Sequence, residues 1–303
     1  MGLRAAVRSA GVGGRAAGGA AGFSGVFLIV MSLTFSAGAI NSYNATPAPE
    51  RTEVGALVVQ WDDDGDPATP DRVDWECSGT MVDRDTFVTA GHCTTDWSAG
   101  VRFYVSLDQD VQTALDSAAR AHPGDPAAIG AAVGVEGVAH TDPAYPGPSA
   151  DPHDIAVVQL PATSVAARWT FTPAVLPTAG ELDALAPQQL DATPFEVAGY
   201  GTQEAQRGPG GQTHPGGGVR MKAPVTFNAL NPSWVRLGMT APQGNGGACY
   251  GDSGGPNFAA LDGTLVLAAT TITGDGPCYA TNVAYRLDAP AARAFLAPFV
   301  TLP

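Results

Sequence analysis

Short apolar runs cut apart by glycine and proline constrain this chain more than any other feature. With 38 glycines and 25 prolines among 303 residues, long helices are interrupted often. VGALVVQW (Val54 to Trp61), DTFVTA (Asp85 to Ala90) and GTLVLAATTI (Gly263 to Ile272) are short and rich in β-branched residues, which is the composition of strands. An all-β architecture follows. The chain is 45% hydrophobic and 15% charged, enough for one large or two small cores and too apolar for a disordered protein. One short helix is expected in the Ala-rich segment from Asp108 to Ala132 and another in LDAPAARAFLAPFV (Leu287 to Val300), where apolar residues recur at helical spacing behind a proline. GPGGQTHPGGG (Gly208 to Gly218) reads as a surface loop, and a composition shift at Thr163 to Pro177 marks a linker between two β-rich halves.

Residues 1–39 read as a secretory signal peptide outside the fold. Arg4, Arg8 and Arg15 form a positive start without acids, VFLIVMSLTF is an apolar core, and Ala37-Gly38-Ala39 is a cleavage signal. The apolar run is shorter than the roughly 18 residues a membrane span needs, so no stable membrane association is expected once it is cut away. The remaining chain carries 12 basic against 29 acidic residues, a net charge of −17, and Lys222 is its only lysine. Nothing there attracts nucleic acid or anionic lipid.

Four cysteines behind an export signal suggest two disulfides, with three possible connectivities. Local spacing favours Cys77 with Cys93 and Cys249 with Cys278, each closing a loop worth about 3 kcal/mol in the chain-entropy picture. No C-x-x-C pair occurs, which argues against zinc. The alternate aspartates of DDDGDPATPD (Asp62 to Asp71) evoke a calcium loop, but Pro67 stands where the turn glycine is needed and no glutamate closes it. No metal or cofactor is expected.

CYGDSGGP (Cys249 to Pro256) surrounds Ser253 with residues lacking bulk. It fits the G-x-S-x-G elbow of α/β-hydrolases, which requires a later histidine. His92, His122, His140, His153 and His214 all precede the serine, so that reading fails on order. A serine hydroxyl needs a base, and the base needs a group that fixes its tautomer. FVTAGHC supplies His92 and HDIAVVQL supplies Asp154. A subtilisin-like order, with Asp74 or Asp83 ahead of His92, is open by order alone.

TAGHC, DIAVVQL and CYGDSGGP, together with CSGTMV and VAGYGT, resemble the chymotrypsin/trypsin family of serine endopeptidases, especially its secreted bacterial members. The resemblance spans about Ile40 to Val300. It implies two packed six-stranded antiparallel β-barrels with a short C-terminal helix, the first over about 40–165 and the second over about 166–303. It further implies a monomer that takes protein or peptide substrates. Residue by residue, Ser253 would attack the carbonyl, His92 would move the proton, and Asp154 would orient the imidazole. Backbone N–H groups of Gly251 and Ser253 would form the oxyanion hole, where one donor is worth about 3–4 kcal/mol to the transition state. Asp252 would pair with the new amine of Ile40 after cleavage behind Ala39. His153 is read as a bystander.

Two departures from the family stand out. INSYN (Ile40 to Asn44) replaces the usual IVGG, and Gly247 occupies the place where trypsin-like members carry a pocket aspartate. With Ala248 beside it the pocket floor has no charge, so cleavage after apolar or small residues is expected. Thr271, Ile272, Thr273 and Gly274 would form the pocket wall, and Asn282 would intrude. A catalytically silent binding or regulatory protein on the same fold is the alternative, although no triad member is missing.

Overall fold

The computed structural model describes residues 40–66 and 68–303; the leader reading falls on residues 1–39, outside the described residues. A short strand, β1 (Thr46–Pro47), precedes β2 (Val54–Trp61), β3 (Arg72–Met81), β4 (Thr86–Thr89), β5 (Arg102–Ser106), β6 (Val135–Thr141) and β7 (Ala156–Gln159). Strands β2 to β7 close into a barrel in the order β2-β3-β4-β7-β6-β5, every pair antiparallel.

The second half holds β8 (Phe195–Gly199), β9 (Gln206–Gly208), β10 (Gly211–Thr213), β11 (Met221–Leu230), β12 (Trp234–Gly238), β13 (Pro256–Leu261), β14 (Thr264–Gly274) and β15 (Thr281–Arg286). Here β11-β12-β15-β14-β13-β8 run in order and the pairing of β8 with β11 closes the ring, with β1 added beside β11. Two closed six-stranded antiparallel barrels and a short C-terminal helix are the architecture expected from the sequence. The segment read as a glycine-rich loop is in part an exposed hairpin, because β9 and β10 pair across Gly208 and Gly211.

Five short helices decorate the barrels: α1 (Val111–Ala121), α2 (Pro126–Val133), α3 (Ala162–Arg168), α4 (Pro187–Ala192) and α5 (Pro290–Leu296). The Ala-rich segment thus forms two helices, each capped by an aspartate. Asp110 accepts from Thr113 N at 2.8 Å and Asp125 accepts from Ala128 N at 3.0 Å. They explain why β2 is buried along its whole length. Leu57, Val59 and Trp61 point into the barrel, while Val54, Ala56 and Val58 on the opposite face pack in one cluster with Val111, Leu115, Ala118 and Val133 of the helices. A strand covered on both sides reads as a continuous apolar run, as VGALVVQW does. That cluster continues across the junction through Val88 and Ile155 of the first half and Tyr200, Phe258 and Tyr285 of the second.

Positive charge is largely consumed inside or in pairs. Arg286 is fully buried between Asp288 and Asp183, and Lys222 meets Glu50 at 2.6 Å and Glu196 at 3.3 Å. Arg220 is also buried, and it ties the halves together. Its guanidinium donates to the carbonyls of Ala48, Val54 and Leu107 at 2.8–3.1 Å and to the Tyr200 hydroxyl at 3.1 Å. Replacing it strands these acceptors where water does not reach them. Arg220→Ala should lower the unfolding free energy by about 3 kcal/mol, seen as an earlier urea midpoint with an unchanged denaturant slope.

Candidate active site

Strand β4 ends at Thr89, and the chain turns through a single 3-10 turn, Gly91–Cys93. A β-carbon on Gly91 would sit 3.1 Å from Ile155 N and 3.2 Å from Asp154 Oδ1, so a side chain there would crowd the start of β7. Asp154 accepts the His92 backbone N–H at 2.8 Å, and its Oδ2 lies 2.9 Å from His92 Nδ1. The carboxylate is nearly buried while the imidazole keeps about a third of its surface, 32% against 10%. That leaves the ring's far edge open to a reactant. Cys93 closes the turn onto β3 through a disulfide to Cys77, and Cys249 is bonded to Cys278.

Ser253 belongs to the second half, yet its backbone is anchored in the first. Its carbonyl accepts from Ser78 N of β3 at 2.8 Å. Next to it, Gly254 has φ +80°, and a β-carbon there would be 2.1 Å from Thr89 Oγ1 and 2.7 Å from Ala90 N. The serine loop therefore sits directly against the strand end that delivers His92. Both backbone groups of Gly254 are used: its N–H donates to Thr271 O at 2.7 Å and its carbonyl accepts from Thr270 Oγ1 at 2.6 Å.

Between Cys249 and Gly255 four N–H groups are used, the first being that of Cys249, which donates to Asp252 Oδ2 at 2.8 Å. Asp252 N–H donates to Cys249 O, Gly254 to Thr271 O and Gly255 to Asp252 O. Those of Tyr250, Gly251 and Ser253 have no acceptor among the described residues, and the last two are the ones nearest the hydroxyl along the chain. Gly251 adopts φ +92°, and a side chain there would run into the ring of Trp75 at 2.4 Å. Two uncommitted donors beside a hydroxyl are what a developing oxyanion requires.

Asp252 faces away from them and is wholly buried. Its oxygens accept from Gly201 N and Cys249 N, both at 2.8 Å. Burial without a cation pushes its pKa up from 3.8 to about 7. The glycines of VAGYGT make room for it, since β-carbons on Gly199 and Gly201 would stand 2.2 and 2.5 Å from the carboxyl atoms. Ile40 is buried alongside, its N–H donating to Gly201 O at 3.2 Å, and the next N–H, of Asn41, donates to Gly247 O at 2.9 Å.

Gly247 and Ala248 are buried, and a β-carbon on Gly247 would strike Met239 Sδ at 2.1 Å. Thr271 and Asn282 are buried too, joined through Asn257, whose amide donates to Thr271 Oγ1 at 2.9 Å and accepts from Asn282 Nδ2 at 2.7 Å. Ile272 sits at a bulge in β14, with Thr273 and Gly274 exposed beyond it. The aspartates at 62, 64 and 66 accept N–H groups of their own loop.

With this geometry in place, the family model described as Trypsin matches residues 68–289. The chain belongs to the trypsin family. A search of curated proteins returns no match. The matched span contains His92, Asp154, Ser253 and all four cysteines, and membership makes this a serine-protease fold. Sequence reasoning missed three residues that shape this trypsin-family site. Ser78 was visible only as the small polar residue after Cys77, while Met239, one residue beyond β12, and Trp75, in the polar half of β3, gave no local signal. Ser78 is the hub: its hydroxyl donates to Gly251 O at 2.9 Å and accepts from Tyr200 N at 2.9 Å. Ser78→Ala leaves both groups unpaired in the interior and should cost about 2 kcal/mol of stability. Hydrogen exchange should show the loss of protection at the Tyr200 amide.

Proposed function

We propose that this chain is a secreted serine endopeptidase working through an acyl-enzyme. Ser253 is the nucleophile. As its oxygen attacks the scissile carbonyl, His92 takes the hydroxyl proton on its outer nitrogen. Asp154, hydrogen-bonded to the inner one, fixes the tautomer and stabilises the imidazolium. The N–H groups of Gly251 and Ser253 bind the oxyanion. The imidazolium then protonates the leaving amine, and a water activated by the same ring releases the acyl group. The observation that carries this reading is the Nδ1–carboxylate contact of 2.9 Å on a turn that directly abuts the Ser253 loop.

The uncharged floor at Gly247 and Ala248, with Met239 beneath it, favours an apolar or small residue before the cut. Thr271 to Gly274 form the wall, and Asn282 closes one side. Cleavage behind Ala39 exports the chain and frees Ile40, whose new amine is placed to meet Asp252. Support comes from the burial of Ile40 beside Gly201, the residue that already donates to that carboxylate. The exported domain is then 40–303, a monomer with no cofactor. Among the described residues no helix is long and apolar enough to cross a membrane.

The test is a digest of a mixed proteome with the exported protein. Cuts should follow apolar or small residues, a fluorophosphonate should label Ser253, and Ser253→Ala should lose both, its kcat falling about a million-fold. Dominant cutting after Arg or Lys would overturn the pocket assignment, and an unlabelled serine the enzymatic one.

A second expectation concerns pH. In a form retaining residues before Ile40, the Asp252 carboxyl has a folded pKa raised above 3.8 to about 7. A raised pKa contributes stability below the unfolded value and loses it as pH climbs through the folded one. This form should therefore lose Tm as pH rises from 4 to beyond 7, and Asp252→Asn should flatten the trend. Processed protein, with an ammonium beside Asp252, should not show it.

A further inference from the structure

Asp154 ends a long connection between β6 and β7, and its direction is set by the residue before it. His153 lies in the left-handed region at φ +52°, a conformation that a residue bearing a β-carbon avoids unless something holds it there. The ring supplies a hold. His153 Nδ1 lies 2.9 Å from Asp142 Oδ2 at the other end of the same connection, and Nε2 lies 3.6 Å from Asp151 Oδ2. Asp142 is nearly buried, donates its N–H to Ile155 O at 3.0 Å and accepts from Ala144 N. Asp151 accepts the Tyr285 hydroxyl at 2.9 Å, which anchors the far side of the connection to β15 of the other barrel. Glycine at 147 leaves space for the ring, since a β-carbon there would stand 2.9 Å from His153 Cδ2.

We propose that His153 is a positioning residue for Asp154: its ring, set between Asp142 and Asp151, holds the left-handed turn that aims the Asp154 carboxylate at His92. The inference rests on the reading of Asp154 as the group that orients His92. A neutral imidazole donates from one nitrogen only, whereas the protonated ring donates from both. Nδ1 makes the shorter contact, 2.9 Å to Asp142, and Nε2 the longer one, 3.6 Å to Asp151. The ionisable groups around the ring are Asp142, Asp151, Asp154 and Tyr145 of the connection, His140 of β6, His92 of the 3-10 turn and Tyr285 of β15. Asp96 acts on Tyr145, whose phenol is raised by burial and then by Asp154 and Asp96, and burial also pushes the Tyr285 phenol up. The C-terminal segment closes the groove with Ala291, Ala294, Phe295, Pro298 and Phe299, which carry no charge.

Three variants separate the ring from the backbone. His153→Asn and His153→Gly both accept the left-handed conformation without bridging the two carboxylates, and Asp142→Asn removes one carboxylate and keeps the ring. Proton NMR of the processed protein reads the His92 Nδ1–H resonance, which depends on its contact with Asp154 and not on turnover. The inference predicts that this resonance moves upfield or is lost in all three variants. With a peptide substrate, kcat should fall about tenfold with KM within about twofold. An unchanged His92 resonance and an unchanged kcat in His153→Asn, whatever its Tm, would overturn the role. Should the wild type prove unable to cut peptides, the enzymatic reading fails, but the resonance still decides whether His153 aims Asp154.

Discussion

The segment from Gly251 to Gly255 is pressed so tightly between the two barrels that β-carbons fit at neither 251, 254 nor 255. This close approach is the constraint on which the site depends. Backbone-to-backbone contact lets Ser78 bind Ser253 directly and lets Gly254 lie against Thr89 and Ala90, so the strand delivering the histidine and the loop delivering the serine share one surface. Glycine here sets an approach distance that no rotamer of a larger residue could achieve, and the positive φ of Gly251 and Gly254 adds a conformational demand in the same place. The uncommitted N–H groups of Gly251 and Ser253 are a by-product of the loop's own hydrogen bonding. The stabilising interior and the candidate site are therefore built from the same few peptide planes.

Much of this was legible in the residues themselves. Runs such as VGALVVQW had the length and β-branching of buried strands, and the motifs around His92, Asp154 and Ser253 carried the family's order. The less visible parts were long-range. No local pattern distinguishes Ser78 from any small strand residue, because its importance comes from the Gly251 carbonyl 173 positions away. The two helices over β2 were underestimated as one, since Gly124 and Pro126 in an alanine background look like a single weak helix until the β2 face they cover is known. The hairpin of β9 and β10 was hidden by glycine, which reads as loop whether or not the strands pair. His153 was dismissed as a neighbour because sequence shows adjacency to Asp154 and conceals both carboxylates facing the ring.

The structure also divides its acids into unlike kinds. Asp252 is buried against amides alone, Asp288 is buried against Arg286, and Asp62 to Asp66 stand in solvent bracing their own turn. Burial with donors but no cation raises the pKa of the first of these to about 7. The second holds the β15 strand end, and the third answers only to local geometry. One residue type thus performs three tasks, separated by solvent access and by whether a guanidinium is within reach.

The way the cations are consumed has a consequence for the exterior. With Arg220 and Arg286 enclosed and Lys222 held between two glutamates, the other nine arginines of residues 40–303 are outnumbered about three to one by the 29 acidic residues. At about 10 mM electrolyte, where the Debye length reaches roughly 30 Å, those carboxylates push against one another across the whole molecule. Near 1 M, with a screening length of about 3 Å, they no longer do. Brine therefore relieves a strain in this molecule's shell, and dilution restores it.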